Sequence, residues 1–108
     1  MLNSSEQKLN GTIVPLVTPL STPDELDVNG LARMIDYVID GGVHGIFVLG
    51  STGEGPALPW QLRYDVVKEG IKLVGRRVPF LVNVSCDSAG ESLKFAKFSE
   101  QNGADAIV

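Results

Sequence analysis

The chain has 108 residues, 44% hydrophobic and 20% charged, the composition of one small folded domain and not of a disordered segment. Its net charge of −4 and nine scattered Lys and Arg, adjacent only at Arg76-Arg77, argue against a nucleic-acid partner. No apolar run approaches the roughly 20 residues that span a bilayer, and residues 1–10 are polar, without the apolar core of a secretory signal.

Residues 1–10 are expected to be a frayed polar lead-in, followed by one structural unit over residues 11–108. Thr12-Ile13-Val14-Pro15-Leu16-Val17 is a β-rich apolar run closed by Thr18-Pro19. Pro15 lacks an amide donor, so it predicts an irregular or partly unpaired position. From Asp27 the period changes: Leu31, Met34, Ile35, Val38 and Ile39 form one helical stripe. Asp27 is its expected N-cap and Gly41-Gly42 its stop. Gly45-Ile46-Phe47-Val48-Leu49 is continuously apolar, as suits a parallel strand buried on both faces.

Pro59 is placed in the first turn of a second helix, where its missing N–H costs nothing. Leu62, Val66, Ile71 and Val74 mark that helix's stripe across an interrupting Gly70. Residues 78–84 make a third strand. Ser88 and Glu91 have capping-box spacing and open a third helix that closes at Asn102-Gly103. Ala106-Ile107-Val108 begins a fourth strand. Strands alternating with helices imply an α/β fold with a parallel sheet, either doubly wound or closed into a barrel. Thr18-Pro19-Leu20-Ser21 follows the first strand, and no Gly-x-Gly-x-x-Gly opens a helix there, which favours the barrel. Four parallel strands would leave unpaired edges, so a fragment, an engineered half or a chain needing a partner is expected.

Leu49-Gly50-Ser51-Thr52-Gly53-Glu54-Gly55 follows the second strand, at the end where barrels carry their active sites. Its glycines allow unusual backbone conformations and close approach of a ligand. Its amides can form an anion-binding nest, and Ser51 and Thr52 add hydroxyls. The same pattern also fits a plain βα turn with local side-chain bonds. It is no P-loop, because no Gly-Lys-Ser/Thr follows.

Four segments together resemble the family of dihydrodipicolinate synthase and N-acetylneuraminate lyase. They are Gly11-Thr12-Ile13-Val14-Pro15-Leu16-Val17-Thr18-Pro19-Leu20, Gly50-Ser51-Thr52-Gly53-Glu54, Asn83-Val84-Ser85-Cys86 with Ser88-Ala89-Gly90-Glu91-Ser92, and Gly103-Ala104-Asp105-Ala106. The resemblance implies the N-terminal part of a (β/α)8 barrel: parallel strands one to four with three helices. It implies class I aldolase chemistry, in which a lysine forms an imine with pyruvate or another 2-oxo acid and a tyrosine moves protons. By that resemblance Ser51 and Thr52 hold the acid's carboxylate through amides and hydroxyls, and Ser51 also joins the proton relay. Family lyases usually have serine at position 51, and dihydrodipicolinate synthases usually threonine. The reaction class is condensation or cleavage of pyruvate with an aldehyde. Dihydrodipicolinate synthesis, N-acetylneuraminate cleavage, 2-keto-3-deoxy sugar-acid cleavage and mere carboxylate binding by an inactive half-barrel all stay open. Family members are homo-oligomers, commonly tetramers.

By the same resemblance, the imine lysine and the catalytic tyrosine belong to later strands. Lys8, Lys68, Lys72, Lys94 and Lys97 fall in the lead-in or on helices, without the desolvated setting that keeps an amine neutral. The 108 residues alone are therefore expected to be inactive. Tyr37 and Tyr64 are expected to pack on helices. His44 is assigned to the stability face of the barrel. Cys86 is read as a small semi-buried side chain, and alone it can form no internal disulfide, which fits a reducing cytoplasm. Glu54 is expected to bond loop amides, and Trp60 to pack at the outer edge of the site or at a subunit contact. No cofactor is expected, and no metal, because no His/Cys/Asp/Glu cluster has ligand spacing.

Overall fold

The computed structural model describes residues 9–108, so residues 1–8 of the expected lead-in lie outside the described residues. Four strands form a parallel sheet: β1 (Ile13–Pro15), β4 (Gly45–Val48), β5 (Phe80–Val82) and β6 (Ala106–Ile107), in the order β1-β4-β5-β6. Two further strands, β2 (Leu20–Thr22) and β3 (Glu25–Leu26), make a small antiparallel hairpin between β1 and the first helix. The helices are α1 (Val28–Asp40), α2 (Trp60–Val74) and α3 (Ala89–Asn102).

Register divides the sheet into two faces. Val14, Ile46 and Phe80 align in one row, and Val48, Val82 and Ile107 in another. Side chains alternate along a strand, so these rows share one face. Ile46, Val48, Phe80 and Val82 are each no more than 2% exposed and join Leu31, Ile35, Leu62, Val66, Val67, Val74 and Phe95 in one core. The helices therefore cover that face. Pro15, Phe47, Leu81 and Ala106 form the intervening row on the other face, where Pro15 is exposed and Phe47 half-buried.

The helix signals resolve into specific contacts. Asp27 Oδ1 accepts from the Gly30 amide at 2.9 Å, capping α1. Ser88 Oγ accepts from the Glu91 amide at 3.2 Å, capping α3. Gly75 and Gly103 end α2 and α3 in the left-handed region, at φ +59° and +105°. Gly70 interrupts the α2 stripe because it faces the Phe80 ring: a Cβ there would lie 2.7 Å from Cζ. The gap in the pattern is a packing notch.

Several expectations shift. Pro59 is the N-cap of α2 and not a first-turn residue; Trp60 begins the helix. Pro15 does lie within a regular strand, but at the sheet's edge. Leu16 donates to the Phe47 carbonyl at 2.9 Å, so the neighbouring Pro15 nitrogen points to the unpaired side, where no donor is missed. The third strand is shorter than residues 78–84, although Asn83 still donates to Val48 O at 3.1 Å. The hairpin has no apolar run to announce it, only the Pro23-Asp24 turn dipeptide. No described helix is long and apolar enough to cross a membrane.

Ile35 is 0% exposed and Leu93 57% exposed. Truncation should separate them in urea unfolding: Ile35→Ala is expected to cost about 2–5 kcal/mol. Leu93→Ala is expected to stay within about 0.5 kcal/mol of the unsubstituted chain.

Candidate functional site

The backbone reverses sharply where β4 ends. Leu49, the first residue past the strand, has φ +65°, and Glu54 has φ +56°. Both lie in the left-handed region that residues with a Cβ avoid. Between them the chain folds into a tight turn: Glu54 N donates to Ser51 O at 3.1 Å, and Gly55 N to Gly50 O at 3.2 Å. A short 3-10 turn, Gly55–Ala57, then leads to α2.

The loop glycines serve a different purpose from the one their spacing suggests. None of Gly50, Gly53 and Gly55 has positive φ; that conformation falls on Leu49 and Glu54. Gly55 is required because any Cβ would collide with the Leu49 carbonyl, and a Cβ on Gly53 would lie 2.8 Å from Leu16 O. Close backbone approach, not torsional freedom, is what they supply.

Ser51 and Thr52 are exposed at the turn's outer bend, at the C-terminal end of the sheet. Among the described residues, neither their amides nor their hydroxyls have a hydrogen-bond partner. Two N–H and two O–H groups thus sit free on a short, internally bonded turn. A carboxylate, with two oxygens that accept several hydrogen bonds, is the chemical complement of such a donor set.

Two residues that sequence reasoning passed over hold this turn. Thr18 Oγ1 donates to Gly53 O at 2.7 Å, and Asn83 Nδ2 donates to Leu49 O at 2.9 Å. They lie past the C-terminal ends of the two strands flanking β4, Asn83 directly after β5 and Thr18 three residues after β1. Their only sequence signal is a polar side chain closing an apolar run at the C-terminal end of a strand.

The remaining candidates fall into place around the loop. Glu54 is exposed, and among the described residues its carboxylate accepts no hydrogen bond, so the expected bonding to loop amides is not found. Its backbone, not its side chain, shapes the turn. His44 lies at the opposite end of β4, where Nδ1 accepts from the Thr12 amide at 2.9 Å. Cys86 is half-buried, with Sγ 3.0 Å from Ser88 O and 3.1 Å from Ser92 Oγ. Tyr64 packs as expected, 4.5 Å from Phe98 and 5.2 Å from Phe95 between ring centroids. Trp60 joins the same cluster 5.5 Å from Phe95, with the Arg63 guanidinium over its ring. Tyr37, by contrast, is 80% exposed and does not pack in the core. Lys68, Lys72, Lys94 and Lys97 are on helices and exposed, away from the turn. Among the described residues no group of three His, Cys, Asp or Glu could hold a metal ion.

A parallel sheet with its helices on one face and a donor-rich loop at the strands' C-terminal ends is the N-terminal half of a (β/α)8 barrel. Two solved structures carry that architecture. Dihydrodipicolinate synthase from Bacteroides thetaiotaomicron aligns over 90% of this chain with TM-score 0.88 and 46% identity, matching 33% of its own chain. YagE, a prophage protein of the dihydrodipicolinic acid synthase family from E. coli K12 solved with pyruvate, aligns over 90% with TM-score 0.87 and 37% identity, again over 33% of its length. The model of the Dihydrodipicolinate synthetase family matches residues 8–108, and the chain belongs to that family. The 4-hydroxy-tetrahydrodipicolinate synthase of Salinibacter ruber is 35% identical over 98 residues, which are 91% of this chain and 32% of the relative. The chain spans about a third of the length of the curated relatives it matches.

Gly55→Ala should force the turn apart, destabilising the chain by about 1–3 kcal/mol and moving the Ser51 and Thr52 amide resonances. Gly90→Ala, whose Cβ would meet nothing closer than Ser88 Oγ at 3.8 Å, is the control. It should be neutral or stabilising by about 0.5–1 kcal/mol in thermal unfolding.

Proposed function

We propose that this chain supplies the acid-binding loop of a class I aldolase that joins pyruvate to an aldehyde or splits the reverse adduct. In that reading the amides and hydroxyls of Ser51 and Thr52 hold the carboxylate of the 2-oxo acid. The observation that carries it is the set of four unpartnered donors on a tight turn at the C-terminal end of β4. Family membership and the pyruvate-bound relative support it.

The chemistry sets what the loop must do. A lysine amine adds to the keto carbon and water leaves, giving a protonated imine. Loss of a proton from the neighbouring methyl makes an enamine, whose carbon attacks an aldehyde; cleavage runs the steps backwards. Fixing the carboxylate holds the keto carbon at one distance and orientation from the amine. In the same reading Ser51 Oγ, next to that carboxylate, passes a proton to or from the departing oxygen. The amine must come from elsewhere in the barrel, because the described lysines are exposed on helices. The whole enzyme is proposed to be a cytoplasmic homo-oligomer with pyruvate as its small-molecule partner and no cofactor. Serine at position 51 tilts the reading from the synthase toward the lyases, although a Thr/Ser exchange keeps the hydroxyl.

Titrating pyruvate into the 15N-labelled chain should shift the Ser51 and Thr52 amides first. An unchanged spectrum at millimolar pyruvate would remove the carboxylate site. With borohydride present, no lysine of these 108 residues should gain a reduced pyruvyl mass. In a polypeptide carrying the rest of the barrel, one lysine outside them should. Absence of that adduct there would rule out the imine mechanism.

A further inference from the structure

The turn that carries Ser51 and Thr52 is held by bonds from outside it as well as by its own. Its two ends, Leu49 and Glu54, are in a backbone conformation that L residues leave when they are free to. Inside the turn only two backbone bonds close it, Glu54 N to Ser51 O and Gly55 N to Gly50 O. The first holds the N–H side of the Gly53–Glu54 peptide, and neither reaches the Leu49–Gly50 peptide. The carbonyl side of each end peptide is gripped from outside. The carbonyl of the Leu49–Gly50 peptide accepts from Asn83 Nδ2 at 2.9 Å, and the carbonyl of the Gly53–Glu54 peptide accepts from Thr18 Oγ1 at 2.7 Å. One clamp comes from the segment that follows the strand on each side of β4.

We infer that Asn83 and Thr18 are positioning residues. By holding the two end peptides they keep Leu49 and Glu54 left-handed, and so aim the Ser51 and Thr52 donors outward from the sheet as one set. Rotating the Leu49–Gly50 peptide would release Leu49 to an ordinary torsion and swing the following amides. Rotating the Gly53–Glu54 peptide would do the same from the other end. Asn83 reaches further: its Oδ1 accepts from the Ser85 amide at 3.3 Å, and its own amide donates to Val48 O at 3.1 Å. The side chain therefore ties the loop after β4 to the loop after β5. Thr18 needs its hydroxyl and not its shape, since the bond runs through Oγ1. The clamps rest on the reading of the loop as a carboxylate site only for their effect on binding; the backbone they impose can be tested without any ligand.

The test uses the full 108-residue chain, 15N-labelled, with Asn83→Leu, Asn83→Ala, Thr18→Val and Thr18→Ser. The first readout is the intraresidue HN–Hα NOE at Leu49 and Glu54 in ligand-free protein, which is strong only at positive φ. The second is the pyruvate Kd from the Ser51 and Thr52 amides. Both Asn83 variants should lose the strong Leu49 NOE, and Thr18→Val the Glu54 one. Each should weaken pyruvate at least about tenfold, while Thr18→Ser keeps both signals and the original Kd. Retention of both NOEs in Asn83→Leu and Thr18→Val overturns the inference, whether or not pyruvate binding falls. So does a chain in which none of the clamp-removing variants folds, since the two residues would then support the whole unit and not the turn. Failure of the unsubstituted chain to bind pyruvate would overturn the carboxylate reading alone, and the NOEs would still decide the clamps.

Discussion

Strand β4 is hydrogen-bonded along both edges, to β1 on one side and β5 on the other, and the tight turn at its end folds back onto both neighbours. The site depends on that arrangement. The Leu49 carbonyl lies against Gly55 within the turn, and the Leu16 carbonyl lies against Gly53, so the turn closes on itself and packs on the chain just past β1. A left-handed non-glycine residue costs about 1–2 kcal/mol. At Leu49 that cost is offset by the Asn83 bond to its carbonyl, about 0.5–1.5 kcal/mol, together with burial of a side chain that is 1% exposed. Glu54 is exposed and gains no such burial. Its conformation rests on the turn's own bond to Ser51 and on the Thr18 contact next to it, each contributing about 0.5–1.5 kcal/mol.

The sheet's two faces explain why such a turn can be built here. The helix-facing residues of the two central strands, Ile46, Val48, Phe80 and Val82, are packed to near-complete exclusion of solvent, which fixes the ends of β4 and β5 with respect to one another. In the proposed reading, donors mounted on them need little reordering to meet a carboxylate, the condition under which such hydrogen bonds contribute most. The other face, with Phe47 half-buried and Pro15 exposed, is where the interior of the family's barrel lies. Pro15 suits an edge position in this half, with its missing donor on the unpaired side.

Much of the fold was legible residue by residue. The α1 stripe, the Asp27 and Ser88 caps, the glycine stops and the alternation of strands with helices all follow from local periodicity and capping chemistry, which need no knowledge of distant neighbours. The place of the Ser51-Thr52 pair, on a turn just after a buried strand, was legible as well, because the apolar run and the glycines that end it are contiguous in sequence. The hairpin was not, because its strands are short, exposed and carry no apolar alternation. Nor was the fate of Tyr37 and Glu54: whether a helical tyrosine meets a core, or a loop carboxylate meets an amide, depends on what lies opposite.

By itself, then, the order of residues determined the parallel α/β pattern, the family and the donor-bearing turn, since each is written in contiguous stretches of ten or so residues. Only the tertiary structure decided that Leu49 and Glu54, and not the glycines, take the left-handed backbone. It also decided that Gly70 is a notch for Phe80, and that Thr18 and Asn83 grip the turn across 35 and 34 residues of chain. Those facts concern distances between segments far apart in sequence, and such distances are set by the packing of the sheet against its helices.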